Sequence, residues 1–418
     1  MHTPRAAGLV LLLASAAPVV AQEGAVVRVG PGSRYARIGE AVAAAPHGAR
    51  IVIGAATYRE PMIVVRRPMT LVGEPGARLD GEGARTILLI EADDVTVEGL
   101  TFVNTGSSQV DERAGIRARN ARACTIRGNR LEATAFAISL ERTVGCRVSD
   151  NTIRGTGGGQ METGNGIHAW YSDSLTITGN AVSGHRDGIY FEFVTAGQIH
   201  RNVAERNARY GLHFMFSHDC TYDTNTFRAN GNGVAVMYSH TVTMTANTFE
   251  KNIGSAAYGL LLKDIDESQV RGNRFLGNSV GLYLEDAGRN QVIGNRFAAN
   301  GWGLKVLASA QGNVFSDNVF EGNAFDVGTN SRSNYSTFRG NYWDRYTGYD
   351  LDRDGIGDVP FAPVRLFALV VEQSPASLVL LRSMLVDLLD LAERALPAIA
   401  PDVRDEAPRT RAPQEAAR

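Results

Sequence analysis

The chain is poor in lysine, poor in cysteine and short of long apolar runs. Only Lys251, Lys263 and Lys305 are lysines among 418 residues, and no basic block occurs. The formal net charge is −2, which argues against nucleic acid as a partner. Three cysteines, Cys124, Cys146 and Cys220, are too few for a disulfide framework. Each lies five residues before a recurring asparagine, in a slot that Leu175 and Val242 fill elsewhere. They read as small buried residues. A disulfide between Cys124 and Cys146 is also open, because they fall one repeat apart in a chain read as exported. The apolar stretch from Gly8 to Ala17 is too short to span a bilayer. With Arg5 before it and Val19-Val20-Ala21 after it, residues 1–21 read as a signal peptide that sends the chain to the periplasm. An uncleaved anchor is the alternative.

What the chain has is repetition. Asparagine recurs at Asn129, Asn151, Asn180, Asn202, Asn225, Asn247, Asn273, Asn295, Asn318 and Asn341, with a commonest gap of 22 residues. A Gly-Ile/Leu/Val pair keeps the same period from Gly115-Ile116 to Gly303-Leu304. One period shared by two ladders means one coil used repeatedly, hence a solenoid that remains a single domain despite its length. Around Asn129 the run Cys124-Thr125-Ile126-Arg127 alternates, as does Ile189-Tyr190-Phe191-Glu192-Phe193 after Gly188. Two residues after each ladder asparagine an apolar side chain recurs, often Phe, and a second asparagine recurs five residues after it. The expected fold is all-β: a single-stranded right-handed parallel β-helix of the pectin-lyase kind, about three strands per coil and coils ~4.8 Å apart. Asparagine suits its turns because it tolerates left-handed backbone and can hydrogen-bond to the same amide one coil away. The β-helix is expected over 22–365, with an N-terminal cap in 25–65 and insertions near 105–113, 156–164 and 252–257.

Beyond the solenoid, a strand/helix extension is expected over 366–397, its helix starting at Ser374-Pro375 and carrying Leu378, Leu381, Leu385, Leu388 and Leu389 at helical spacing. It either packs on the last coil or docks on a partner. Residues 398–418, rich in Pro, Arg and Ala, read as a disordered tail.

Aligning the coils on the Gly-Ile/Leu pair generates outward columns. The second position holds His168, Tyr190, His213, Ala235, Leu261 and Tyr283; the fourth holds Trp170, Glu192, Met215, Met237, Lys263 and Glu285; the seventh includes His218 and His240. His213, Met215, His218, Met237 and His240 therefore gather on two adjacent coils, with His168 a weaker addition. Thioethers with imidazoles favour Cu(I) over hard cations. The plainer alternative is a set of ordinary exposed or loop-covered side chains. Near the far end, Asp350, Asp352, Asp354 and Gly355 match the first half of an EF-hand calcium loop, with Asp358 nearby. Position 12 would be Phe361, not Glu, so a structural calcium site and a plain acidic turn both stand.

The runs Gly166-Ile-His-Ala-Trp-Tyr171, Asp187-Gly-Ile-Tyr-Phe-Glu192, Tyr210-Gly-Leu-His-Phe-Met-Phe-Ser-His218 and Asn232-Gly-Val-Ala-Val-Met-Tyr-Ser239, with Asn341-Tyr-Trp-Asp344, resemble the NosD family. The resemblance spans about residues 25–365. It implies a non-catalytic periplasmic accessory of nitrous oxide reductase, serving copper-centre assembly with the ABC transporter NosF/NosY and the copper chaperone NosL, and touching the membrane only through the transporter. It carries over no ligand motif; the Cu(I) set comes from the coil alignment. Two other functions remain open. One is a secreted polysaccharide lyase, hydrolase or epimerase, for which Lys263 with Asp264, Asp266, Glu285 and Asp286 offers an acidic-plus-lysine patch. The other is a metal-free structural adaptor.

Overall fold

A computed structural model describes residues 25–108, 111–381, 383–395 and 402–413. The segment read as a signal peptide lies outside the described residues. The fold is a right-handed parallel β-helix. Its described strands form three parallel sheets of 14, 13 and 12 strands, each strand pairing with its counterpart one coil away. Three strands per coil is the number expected from the repeat.

The asparagines hold the turns together. The Asn129 side-chain amide donates to Asn151 Oδ1 at 3.1 Å, and the Asn129 backbone N–H donates to the same oxygen at 2.9 Å. The link recurs through Asn318 to Asn341 at 2.9 Å. The second ladder runs from Asn207 to Asn230 at 3.0 Å and from Asn252 to Asn278 at 2.9 Å. Buried backbone donors at every turn are thus satisfied. Inside, Phe249, Phe275 and Phe297 stack at 4.7 Å per step, continuing through Phe320 to Trp343. Cys124 and Cys146 are buried and joined by a disulfide, and Cys220 is buried and free.

The N-terminal end is closed by the helix Ile38–Ala44, which buries Ile38, Ala41 and Val42. Strands already pair in the three-sheet pattern by Ala49–Ile53 and Ile63–Val65, so coils begin inside the segment read only as a cap.

The C-terminal end departs from expectation in two ways. A helix, Leu366–Gln373, begins before Ser374 and buries Phe367, Ala368 and Val371. Pro375–Leu380 is a 3-10 turn, Ser374 makes no side-chain cap, and the second helix runs over Met384–Ala395. A run of apolar residues without a turn signal, Leu366 to Val371, was long enough for another helix. Residues 402–413 are also placed against the solenoid, contrary to the disorder their composition suggests. Val403 and Asp405 are buried, and Asp405 pairs with Phe361. Composition misleads here because a few specific contacts dock a short segment: the buried Asp405 carboxylate with its several donors, and Arg409, whose guanidinium donates to the Gly340 carbonyl at 2.9 Å.

Candidate metal centre

The coil alignment is reproduced without a slip. His168, Tyr190, His213, Ala235, Leu261 and Tyr283 are successive partners across the 12-stranded sheet. So are Trp170, Glu192, Met215, Met237, Lys263 and Glu285. Outward does not mean exposed, however. His168 and His213 are buried, His213 among Tyr190, Arg209 and Tyr210. Phe136 stacks on His168 at 5.6 Å and Tyr190 stands between the two histidines at about 5 Å from each.

His213 is the best-prepared donor. It projects from the strand Tyr210–Met215 on the same face as Met215, two residues on. Its Nδ1 lies 3.5 Å from Arg209 Nη2, which can only donate to it, and 3.9 Å from Asp187 Oδ2, an electrostatic contact longer than a hydrogen bond. Arg209 donates to both Asp187 oxygens and fixes the carboxylate. Burial pushes the Asp187 pKa up, but Arg209 and His213 together more than offset this and leave it low. His213 Nε2 is buried and has no hydrogen-bond partner. Burial also holds its pKa down, with Asp187 opposing, so the ring is neutral near pH 7. A buried neutral imidazole with one ring nitrogen lacking a hydrogen-bond partner is compatible with metal ligation.

Met215 and Met237 are direct partners on adjacent strands, and Tyr190 Oη donates to Met215 Sδ at 3.6 Å. Met237 packs beside Tyr258 and Leu261. Two thioethers and one neutral imidazole are donor types suited to a soft ion.

The five-residue set divides in two. His218 and His240 stack face to face at 4.0 Å, with an interplanar angle of 13°. His218 Nδ1 accepts the His240 backbone N–H at 3.3 Å, and His240 Nδ1 contacts Thr241 Oγ1 at 3.0 Å. Parallel rings direct their in-plane lone pairs side by side and not at a common point. Among the described residues, the three histidines do not bring their nitrogens together. The trio whose donor atoms fall within 4.8 Å of one another is Asp350, Asp352 and Asp354. Asp358 stands apart from it and caps the Leu351 N–H at 2.7 Å. His168 lies two coils from His213, with Glu112 Oε2 3.8 Å from its Nδ1.

The coil reading missed Asp187, one residue before the Gly188-Ile189 pair, and Arg209, two residues before Gly211-Leu212, as partners of His213. In the acidic-plus-lysine patch the lysine is already paired. Lys263 donates to Glu285 at 2.7 Å, and that bond raises its pKa, opposite to what a lysine base needs. Buried Cys220 is equally unsuited to metal, since burial drives its pKa up to about 12.

Fold and face together define a β-solenoid with a soft-donor patch on one outer sheet. The chain belongs to the NosD family. Residues 151–348 match its family model, described as a periplasmic copper-binding protein, and residues 21–232 match a family of unknown function. A "probable ABC transporter binding protein NosD" of Pseudomonas aeruginosa is 33% identical over 375 residues, covering 84% of this chain and 86% of the relative. One of the same name from Stutzerimonas stutzeri is 29% identical, covering 84% of each. Among solved structures, a mannuronan C-5 epimerase A-module of Azotobacter vinelandii superposes with a TM-score of 0.58 at 16% identity, covering 70% of this chain and 90% of that one. The Dettilon tailspike protein gives 0.57 at 14%, covering 71% and 64%. At such identities these two likenesses concern the fold alone.

Proposed function

We propose that the chain carries Cu(I) as cargo in the periplasm and serves, without catalysis, the assembly of the copper centres of nitrous oxide reductase. NosF/NosY would be its transporter and NosL its copper source. The observation that carries this reading is the unpartnered Nε2 of His213 beside the paired Met215 and Met237. His213 Nε2 and the two thioether sulfurs would hold the ion; His218 and His240 would form an outer pair for its entry. Membership of a family described as copper-binding supports the cargo, and relatives named as transporter-binding proteins support the partner. Those relatives are named as binding proteins, which favours a role without turnover.

The test is Cu(I) titration of the purified chain against a competing chelator. His213→Ala, Met215→Ala and Met237→Ala should each weaken affinity, and His218→Ala with His240→Ala should weaken it less. Wild-type affinity in the triple variant would reject the ligand set. A wild type that binds no copper would favour the metal-free adaptor. The trio Asp350, Asp352 and Asp354 is proposed as a structural calcium site, to be checked by calcium-dependent melting of Asp352→Asn.

A further inference from the structure

One residue beyond each member of the methionine column the backbone makes a left-handed turn, which ends the strand in the first three coils and kinks the strand Asn232–His240 in the fourth. Tyr171, Phe193, Phe216 and Tyr238 occupy this turn in four successive coils, with φ of 48°, 54°, 49° and 53°. Asparagine and aspartate accept such angles; bulky side chains do so at a cost. The rings nevertheless stack, at 4.5, 5.1 and 5.0 Å. Tyr171 remains 51% exposed, Phe216 37% and Tyr238 39%. Folding alone favours polar residues here, so strained backbone supporting an exposed apolar ridge points to binding.

The geometry narrows the occupant. The rings present their faces to each other and their edges to solvent. A sugar or base that stacks on an aromatic face finds none free along the ridge; an apolar groove on a protein can receive it. Tyr, Phe and Met are the residues that dominate protein interfaces. Charge adds a direction. Arg142 fills the same turn one coil before Tyr171, and Asp264 fills it one coil after Tyr238; both are exposed. A complementary groove is acidic at one end and basic at the other, and seats one way round. Met215 immediately precedes Phe216, and Met237 precedes Tyr238. A protein clamped on the ridge therefore has its own metal donors within reach of both thioethers.

We propose that the Tyr171–Phe193–Phe216–Tyr238 ridge docks a copper-carrying protein that exchanges Cu(I) with Met215 and Met237. The proposal rests on the copper reading above. The step is ligand exchange: copper–ligand bonds to the donor protein break as bonds to thioether and imidazole form, and the ion remains Cu(I).

The test uses the full chain and the double variant Phe193→Asn with Phe216→Asn, since asparagine suits left-handed turns and should keep or raise the melting temperature. Two Cu(I) donors are compared: the loaded soluble domain of the chaperone NosL, and Cu(I)–glutathione. Transfer from the protein donor should slow about tenfold or more, while loading from glutathione is unchanged. Equal rates for wild type and variant from both donors would overturn the ridge as a docking site. A wild type that loads from neither donor would instead reject the copper reading, and this proposal with it. Wild-type dimers in sedimentation that the variant loses would give the ridge to a second copy and overturn the proposal.

Discussion

Asp405 stands where an eleventh asparagine would continue the first ladder. Its Oδ2 accepts the Asn341 side-chain amide at 2.9 Å and the Asn341 backbone N–H at 3.0 Å, and the Trp343 indole N–H reaches it at 3.1 Å. Its Oδ1 accepts the Gly340 N–H at 3.1 Å. The C-terminal segment thereby terminates the amide column with a buried carboxylate. Asp405→Ala strands several buried donors and should cost about 2–4 kcal/mol, as expected for a broken buried network. Denaturant unfolding checks this; an unchanged midpoint would show that the segment is dispensable.

Phe275 sits at the middle of the aromatic stack, fully buried, with a ring 4.7 Å away on either side. Neighbouring coils cannot collapse into the space, because their hydrogen-bond registers fix the spacing. Phe275→Ala should therefore cost ~3–5 kcal/mol, in the usual range for core phenylalanine. Phe275→Leu should cost less. A small loss for the alanine variant would mean that the column repacks.

The solenoid was legible because its period is written in residues with one physical job each. Asparagine makes the turns, Phe fills the core, and the Gly-Ile pair sets the register. The same period superposed Met215 on Met237 and His218 on His240 correctly. It could not tell outward from exposed, so it left open whether the outward-facing His213 and His168 were exposed or covered, and both are buried. The ridge was missed for a different reason. Left-handed turns are expected to hold Gly, Asn or Asp, and Phe193 or Phe216 there contradicts local preference. The C-terminal segment was misread because its anchors, Asp405 and Arg409 chief among them, carry no signal in composition.

Two histidines make stability depend on pH. Burial lowers the pKa of both His168 and His185 from 6.5 to about 4. The folded state holds them neutral, so their contribution is complete above pH 6.5 and is lost as pH falls toward 4. Each shift corresponds to about 3 kcal/mol. His185 fills the slot that asparagine fills in later coils, and its backbone N–H donates to Asn207 Oδ1 at 3.2 Å. His185→Asn should extend the ladder and remove the share of the acid sensitivity that His185 contributes. Melting temperatures from pH 7.5 to 4.5 test it, and parallel curves for wild type and variant would refute it.

The last two helices divide their apolar residues between two tasks. Val386 is buried against the cluster of Phe325, Phe367 and Val371, while Leu385, Leu388 and Leu391 are exposed at 46%, 59% and 63%. Among the described residues no helix is long and apolar enough to cross a membrane. An exposed leucine row on a helix anchored from its other side is suited to the groove of another protein, and the proposed transporter is the natural candidate. Deleting the whole C-terminus is a poor test, because it also removes Asp405 from the ladder. Leu385→Ser, Leu388→Ser and Leu391→Ser together leave Val386 and Asp405 in place. This variant should melt like wild type, load Cu(I) like wild type, and fail to co-purify with the detergent-solubilised transporter. Undiminished co-purification would remove the helix from the interface and leave the leucines without a role in docking.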